Sequence, residues 1–277
     1  MMNFRIPIGD WIEGLISFLS NNFAFLTKAF SEVTRHGIDI MVGGMMFFPP
    51  LVLILIFTGL AFFISRKWGI TSFTFFGLLL ILNMGLWGPT VSTISLVLIA
   101  TLFSISIGIP LGILASLNQV FYRIIMPVLD FAQTMPAFVY LIPAIPFFGL
   151  GPVAAIFSTV IFSMPPTIRL TCLGIRQVPA ELVEAADAFG STKAQKLFKL
   201  QLPIATPTIM AGVTQTIMLA LSMVVIAAMI GARGLGGEVW RAIQRLEAGK
   251  GFEAGIGIVI VAIILDRIMQ HLGSKQN

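Results

Sequence analysis

The sequence predicts an all-α membrane protein: about seven spanning helices, preceded by an amphipathic helix lying in the membrane interface. Three observations carry this. Of 277 residues, 57% are hydrophobic and only 10% are charged, whereas soluble domains carry about 25% charged residues. Apolar runs recur at close to the roughly 20 residues that cross a bilayer. Lysines and arginines gather in the short loops between runs, where they set topology. The net charge of +5 therefore reports orientation. With no basic tract and no stacking array, it does not indicate nucleic acid.

The first 45 residues form a unit of their own. Trp11, Ile12, Leu15, Leu19, Phe23, Leu26, Phe30 and Val33 recur at three- and four-residue steps, with Asp10, Glu13, Ser17, Ser20, Asn21, Lys28, Ser31 and Arg35 largely between them. That is an amphipathic helix over 10–35, too polar to span and suited to the interface. A helix packed on protein is the alternative. No apolar stretch of signal-peptide length follows a basic start, so no cleaved targeting segment is expected.

Residues 46–277 make the transmembrane domain. The expected spans are Phe48–Ser65, Gly69–Leu86, Pro89–Leu117, Val128–Phe148, Pro152–Gly174, Pro207–Gly231 and Glu253–Met269. Prolines at 136, 143, 146, 165 and 166 would kink the fourth and fifth. A carbonyl freed in lipid must find a partner in protein or in a wet cavity. Kinked helices thus suggest a lined pathway. Two polar stretches interrupt the late spans, Arg176–Pro203 and Ala232–Phe252, the second a glycine-rich turn leading into a short amphipathic helix.

An odd number of spans puts the termini on opposite sides. With the C-terminus inside, Arg66, Lys67, Arg123, Arg176, Lys193, Lys196, Lys199 and Lys275 are cytoplasmic. The N-terminal helix and the 232–252 loop then lie outside. That loop holds Arg233, Arg241, Arg245 and Lys250, which weighs the other way.

Catalytic chemistry is missing from the pattern. No G-x-x-x-x-G-K-[ST] loop, no metal-spaced His/Cys/carboxylate cluster and no nucleophilic triad occurs. Cys172, the one cysteine, reads as a small buried hydrophobe. Asp130, Arg169, Asp266 and Arg267 read as span-end charges, and no carboxylate or histidine is expected in mid-span. That leaves little for proton-coupled transport. Energy has to come from a partner.

The partner signal lies in EAADAFGSTKAQKLFKLQLP. It reads as a short helix opened by Pro179, a glycine turn at Gly190, a second short helix, and a proline stop before the sixth span. Glu181, Glu184 and Asp187 form an acidic stripe; Lys193, Lys196 and Lys199 form a basic one. Ala185 and Ala186 allow close approach of another surface. A helix–turn–helix of this kind is a docking knob.

This stretch resembles the pattern E-A-A-x3-G-x9-I-x-L-P of permeases of ATP-binding cassette importers, with Leu200 at the isoleucine position. The resemblance implies that Glu184, Ala185, Ala186, Gly190, Leu200, Leu202 and Pro203, within the 176–203 loop, dock the ATPase. From about residue 90 onward the chain is similar to the glycine betaine/proline betaine permeases, and more loosely so in its N-terminal helix. The resemblance implies a type I importer permease fold and no enzymatic activity. It implies alternating-access import of glycine betaine, proline or proline betaine across the bacterial cytoplasmic membrane. It implies two copies paired in the lipid with two cytoplasmic ATPase subunits that bind ATP and Mg2+, and an extracytoplasmic binding protein. No cofactor is expected on this chain. Some relatives carry the binding domain fused at the C-terminus, which is not expected here. A permease for another solute such as choline or an amino acid, or an ion-coupled transporter, are the alternatives.

A trimethylammonium suits aromatic surroundings. On a continuous fourth span Phe131 and Phe138, and nearly Gln133 and Tyr140, would share one face. Gln133, Met135, Phe138 and Tyr140, with Ser222 and Met223 on the sixth span, are the pathway candidates.

Overall fold

The computed structural model describes residues 8–22 and 24–274, and within them every regular element is helical. Phe23, in the amphipathic pattern, and Lys275, among the cytoplasmic cations, lie outside the described residues. The first helices are α1 (Ile8–Asn22), α2 (Ala24–Phe47), α3 (Pro50–Ser65), α4 (Trp68–Asn83), α5 (Trp87–Leu117) and α6 (Gln119–Thr134). A short 3-10 turn (Ala137–Tyr140) leads into α7 (Leu141–Phe148), followed by α8 (Pro152–Ser163) and α9 (Pro165–Arg176). Then come α10 (Ala180–Ala188), α11 (Lys193–Lys196), α12 (Leu202–Ile226), α13 (Leu235–Arg245) and α14 (Ala248–Ser274).

By length and composition, three helical tracts among the described residues can cross a membrane: Trp87–Leu117, Pro152–Arg176 and Lys193–Ile230. The number rises to five if each of two bent pairs is one span. The first pair is α2 with α3, which meet at 105°. There Pro49 and Pro50 interrupt the helix; Pro50 fits the start of α3, where the missing N–H costs nothing. The second pair is α6 with the 137–148 tract, at 112°.

Three expectations need correcting. The helix expected over 10–35 runs further, with α1 and α2 described on either side of Phe23 and α2 continuing to Phe47, and α2 is engaged with protein. The Phe30 ring lies 5.3 Å from those of Phe103 and Phe148 and 5.9 Å from that of Phe157, and Thr34 is fully buried. On α1, by contrast, Trp11, Leu15 and Phe18 are exposed. The fourth run is not one kinked span but two helices at a steep angle, because Met135 before Pro136 is forced out of the helical region (φ −71°, ψ 136°). Finally, Pro203 does not stop the helix before the sixth span. A π-helical turn (Leu197–Gln201) lets α11 run into α12, with Leu202 N–H donating five residues back to the Leu197 carbonyl. The widened turn absorbs the proline ring, and Pro203 falls in the first turn of α12.

The core is a seam of small residues joining α5, α9 and α12. Gly108 and Gly112 are four apart on α5. A Cβ on Gly112 would lie 2.6 Å from the Thr171 Cβ and 2.7 Å from the Ile168 carbonyl oxygen, both on α9. On α12, a Cβ at Gly212 would lie 3.1 Å from the Pro166 carbonyl. Lipid gives helices no hydrophobic reason to associate, so close backbone packing and interhelical hydrogen bonds replace it. Such bonds are present: the Thr167 and Thr216 hydroxyls pair at 2.7 Å across α9 and α12, and those of Ser104 and Ser163 at 3.0 Å across α5 and α8.

Candidate functional site

The 176–203 loop forms a helical hairpin whose turn explains the spacing of its motif. α10 ends in a Schellman cap. Gly190 N–H donates to the Asp187 carbonyl at 2.9 Å, and Ser191 N–H donates to the Ala186 carbonyl at 3.0 Å. The position after the cap must take a left-handed backbone, and Gly190 has φ 75°. The interval from Ala186 to Gly190 is thus fixed by which carbonyl the cap uses. Beyond it a capping box starts α11: the Thr192 hydroxyl accepts from Gln195 N–H at 3.2 Å, and Gln195 Oε1 accepts from Thr192 N–H at 2.9 Å. The Lys196 ammonium bridges both Asp187 carboxylate oxygens at 2.7 Å, tying the two arms together.

The seven motif residues separate into two groups. Glu184, Ala185 and Gly190 are exposed. Ala186, Gly190 and Leu200 line a groove of about 520 Å³ between the arms. Leu202 packs with Ile175, Leu197, Ala205 and Ile209, anchoring the hairpin's base to α9 and α12, while Pro203 stays exposed at the start of α12. Sequence reasoning missed Phe189, whose side chain at the tip is 90% exposed. The available signal was a large apolar residue immediately before the cap glycine.

The six pathway candidates differ in exposure. Gln133, Phe138 and Ser222 are exposed and Met135 is half-buried against the core. Tyr140 and Met223 are buried, so neither presents a side chain to a pathway in this conformation. The shared face of Phe131, Phe138, Gln133 and Tyr140 is lost because the break at Pro136 turns the chain between them. Tyr140 instead holds that break: its hydroxyl donates to the Ala132 carbonyl, its own carbonyl accepts from the Ser158 hydroxyl at 3.0 Å, and its ring meets Phe162 edge-on at 5.7 Å.

A second correction concerns charge. Asp130 and Arg169, expected at span ends, form an ion pair between α6 and α9. Arg169 lies within the continuous 152–176 tract, seven residues short of its end. At that end Arg176 donates to the Ala115 carbonyl and to Gln119 Oε1, both at 3.0 Å, and its guanidinium lies 3.8 Å from the centre of the Tyr122 ring.

On the far side, the glycine turn and short amphipathic helix expected over 231–252 are present as the 231–234 turn and α13. Leu235 N–H donates to the Thr93 hydroxyl at 2.8 Å. Gly234 has φ 138°, and a Cβ there would lie 2.5 Å from that hydroxyl. A Cβ at Gly236 would lie 2.7 Å from the Val225 Cα. The loop is clamped between α5 and α12 beside a cleft of about 570 Å³ lined in part by Arg233, Trp240 and Arg241.

The sequence matches the family model of the binding-protein-dependent transport system inner membrane component over residues 108–277. It is 52% identical to the glycine betaine transport system permease protein OpuAB of Bacillus subtilis (strain 168), over 98% of this chain and 96% of that protein. It is 46% identical to the glycine betaine/proline betaine transport system permease protein ProW of Escherichia coli (strain K12), over 97% of this chain and 75% of that one. Among solved structures, an inward-facing form of the MetNI methionine ABC transporter matches with a TM-score of 0.64 at 22% identity, covering 69% of this chain and 96% of that one. At that identity the likeness speaks for the fold alone, and it agrees with the expected importer permease architecture. This multi-pass membrane protein is a permease subunit and belongs to the family of binding-protein-dependent transport system inner membrane components.

Proposed function

We propose that the chain carries a quaternary ammonium osmolyte of the glycine betaine type into the cell. The observation that carries this is near full-length identity of 46–52% with permeases named for glycine betaine in Bacillus subtilis, Listeria monocytogenes and Escherichia coli. Two copies pair in the cytoplasmic membrane with two ATPase subunits, which bind ATP and Mg2+. An extracytoplasmic binding protein delivers the solute. The C-terminus faces the cytoplasm and the N-terminus the exterior, with α1 in the membrane interface.

In this reading the α10–α11 hairpin is the coupling element. Glu184, Ala185, Ala186, Gly190 and Phe189 enter a cleft on the ATPase, while Leu200, Leu202 and Pro203 join the hairpin to α12. Because α11 and α12 form one continuous helix, a push on the hairpin reaches the core directly. The clamped loop at 231–250 meets the binding protein or serves as the outer gate.

The deciding experiment is uptake of labelled glycine betaine into liposomes holding the permease, its ATPase and its binding protein. Accumulation should require ATP and all three components. Accumulation without the ATPase would refute the reading. Competition by choline, carnitine and proline then ranks the alternatives, since a choline permease of Bacillus subtilis is also similar at 28% identity.

A further inference from the structure

We infer that Asp130 and Arg169 are the polar station of the translocation path, where a zwitterionic substrate replaces each partner of the ion pair with its own opposite charge. This rests on the quaternary ammonium reading above and goes beyond it by naming the residues that recognise the cargo.

The argument begins with depth. α6 and α9 run antiparallel, tied twice: Gln119 to Arg176 at one end and Asp130 to Arg169 further along. Seven residues separate the two arginines on α9, about 10 Å at the helical rise, and eleven separate their partners on α6, about 16 Å. With Arg176, just beyond the expected end of the fifth span, taken as the membrane edge, the pair sits about a third to half of the way into a hydrocarbon core roughly 30 Å thick.

Exposure then decides what the pair faces. The Asp130 side chain is 65% exposed and that of Arg169 33%. A carboxylate at such depth cannot look into hydrocarbon, and ionisable groups inside spans face water-filled cavities or protein. The exposed face of α6 near its break therefore meets either water or a second copy of the chain, and the station takes it to be wet. The break itself agrees, since non-helical backbone at membrane depth is tolerated where it lines a cavity or is covered by protein. Arg169 is also under-used. Its Nε is buried and finds no acceptor among the described residues, while one terminal nitrogen holds Asp130. A guanidinium with spare donors can take a second carboxylate.

The chemistry matches a zwitterion. Separating the pair leaves Arg169, whose side chain is two-thirds buried, without its counter-charge, which is costly. A molecule bearing a carboxylate and a quaternary ammonium satisfies both at once: its carboxylate takes Arg169 while its ammonium faces Asp130. A lone sodium or chloride satisfies only one and leaves the other stranded, so the pair discriminates against inorganic ions. The two side chains can also re-pair behind the cargo, which keeps binding weak enough for release.

The test uses the complete transporter in liposomes. If the wild type fails to take up glycine betaine, the proposed function falls and the station is not in question. Given wild-type uptake, Asp130→Asn, Arg169→Gln and the double variant should each lower maximal uptake about tenfold or more. Half-saturation should stay unchanged, because the binding protein sets it, and assembly and basal ATP hydrolysis should persist. A purely structural pair predicts otherwise, since neutralising both partners together is well tolerated. A double variant that transports within about twofold of the wild type would overturn the assignment. Should the double variant not assemble, labelling decides. Asp130→Cys in a Cys172→Ala background should react with a trimethylammonium-bearing thiol reagent, and saturating substrate during turnover should slow that reaction. A cysteine that stays unreactive with and without nucleotide would put Asp130 against a second copy, and the assignment fails.

Discussion

The 176–203 hairpin and the broken fourth span were both singled out from sequence, yet only the hairpin kept its shape in the structure. The difference is where the determining contacts lie. In the hairpin they are local: the Schellman cap uses Ala186, Asp187, Gly190 and Ser191, and the capping box uses Thr192 and Gln195. Every participant is within five residues of its partner. In the 119–148 region they are distant: Asp130 is held by Arg169, Gln119 by Arg176, and the Tyr140 carbonyl by Ser158. A protruding element has to encode its own fold, whereas an embedded one can borrow geometry from its neighbours. Substitutions in the hairpin should therefore alter coupling and leave stability alone. Substitutions at embedded contacts should do the reverse.

The harshest trial is Gly112→Leu. The seam leaves 2.6 Å to the Thr171 Cβ and 2.7 Å to a backbone carbonyl, so neither neighbour can step aside. Forcing α5 from α9 should cost about 3 kcal/mol or more. The expected result is a large fall in the apparent melting temperature of the detergent-solubilised permease, or no folded protein. A variant as stable as the wild type would mean the seam is not what holds α9 in place.

Gly190→Val is next and should behave in the opposite way. A β-branched residue at φ 75° costs about 1–2 kcal/mol, confined to an exposed turn. The space around Gly190 is open, so no clash spreads inward. Thermal stability should hold and basal ATP hydrolysis should continue, while ATP-driven uptake falls about tenfold or more as the tip loses its shape. Gly190→Ala should fall between. If uptake survives valine, the hairpin is not the coupling element.

The same division explains what could be read beforehand. The helical class, the hydrophobic runs and the hairpin follow from periodicity, caps and a positive-φ glycine, all visible within a few residues. Pro136 marked the break, but a proline only says that a helix is interrupted; the 112° turn depends on what α7 finds to pack against. Asp130 and Arg169 lie 39 positions apart, so each read as a span-end charge until the antiparallel run of α6 along α9 brought them together. Pro203 misled for a related reason. Its ring is compatible with a helix once the preceding turn widens, and the Leu197–Gln201 stretch carries no residue pattern that announces the π turn.

Tyr140→Phe gives a finer measure of how far the broken span depends on its long-range ties. The ring keeps its edge-on contact with Phe162, and only the hydroxyl's bond to the Ala132 carbonyl is lost. One hydrogen bond of this kind is worth about 1 kcal/mol, more if the carbonyl is left without a partner. A small fall in melting temperature is expected, with coupling unchanged. An unchanged melting temperature together with lost uptake would instead place the break on the transport side of the comparison.

Lys196→Ala should have the smallest effect and is the most pointed question for the hairpin. Its ammonium joins Asp187 across the two arms, yet the Asp187 side chain is 55% exposed. Exposed pairs typically contribute between about 0 and 1 kcal/mol, because solvent screens them and holding long side chains costs entropy. The cap and the capping box already set the turn without it. Stability should therefore stay within about 0.5 kcal/mol, and uptake should drop less than with Gly190→Val at any salt concentration. If Lys196→Ala proved as damaging as Gly190→Val, the arms would be held together by their charges and not by their turn chemistry. The claim that the hairpin encodes its own shape locally would then have to give way to one in which a side-chain bridge nine residues long supplies it.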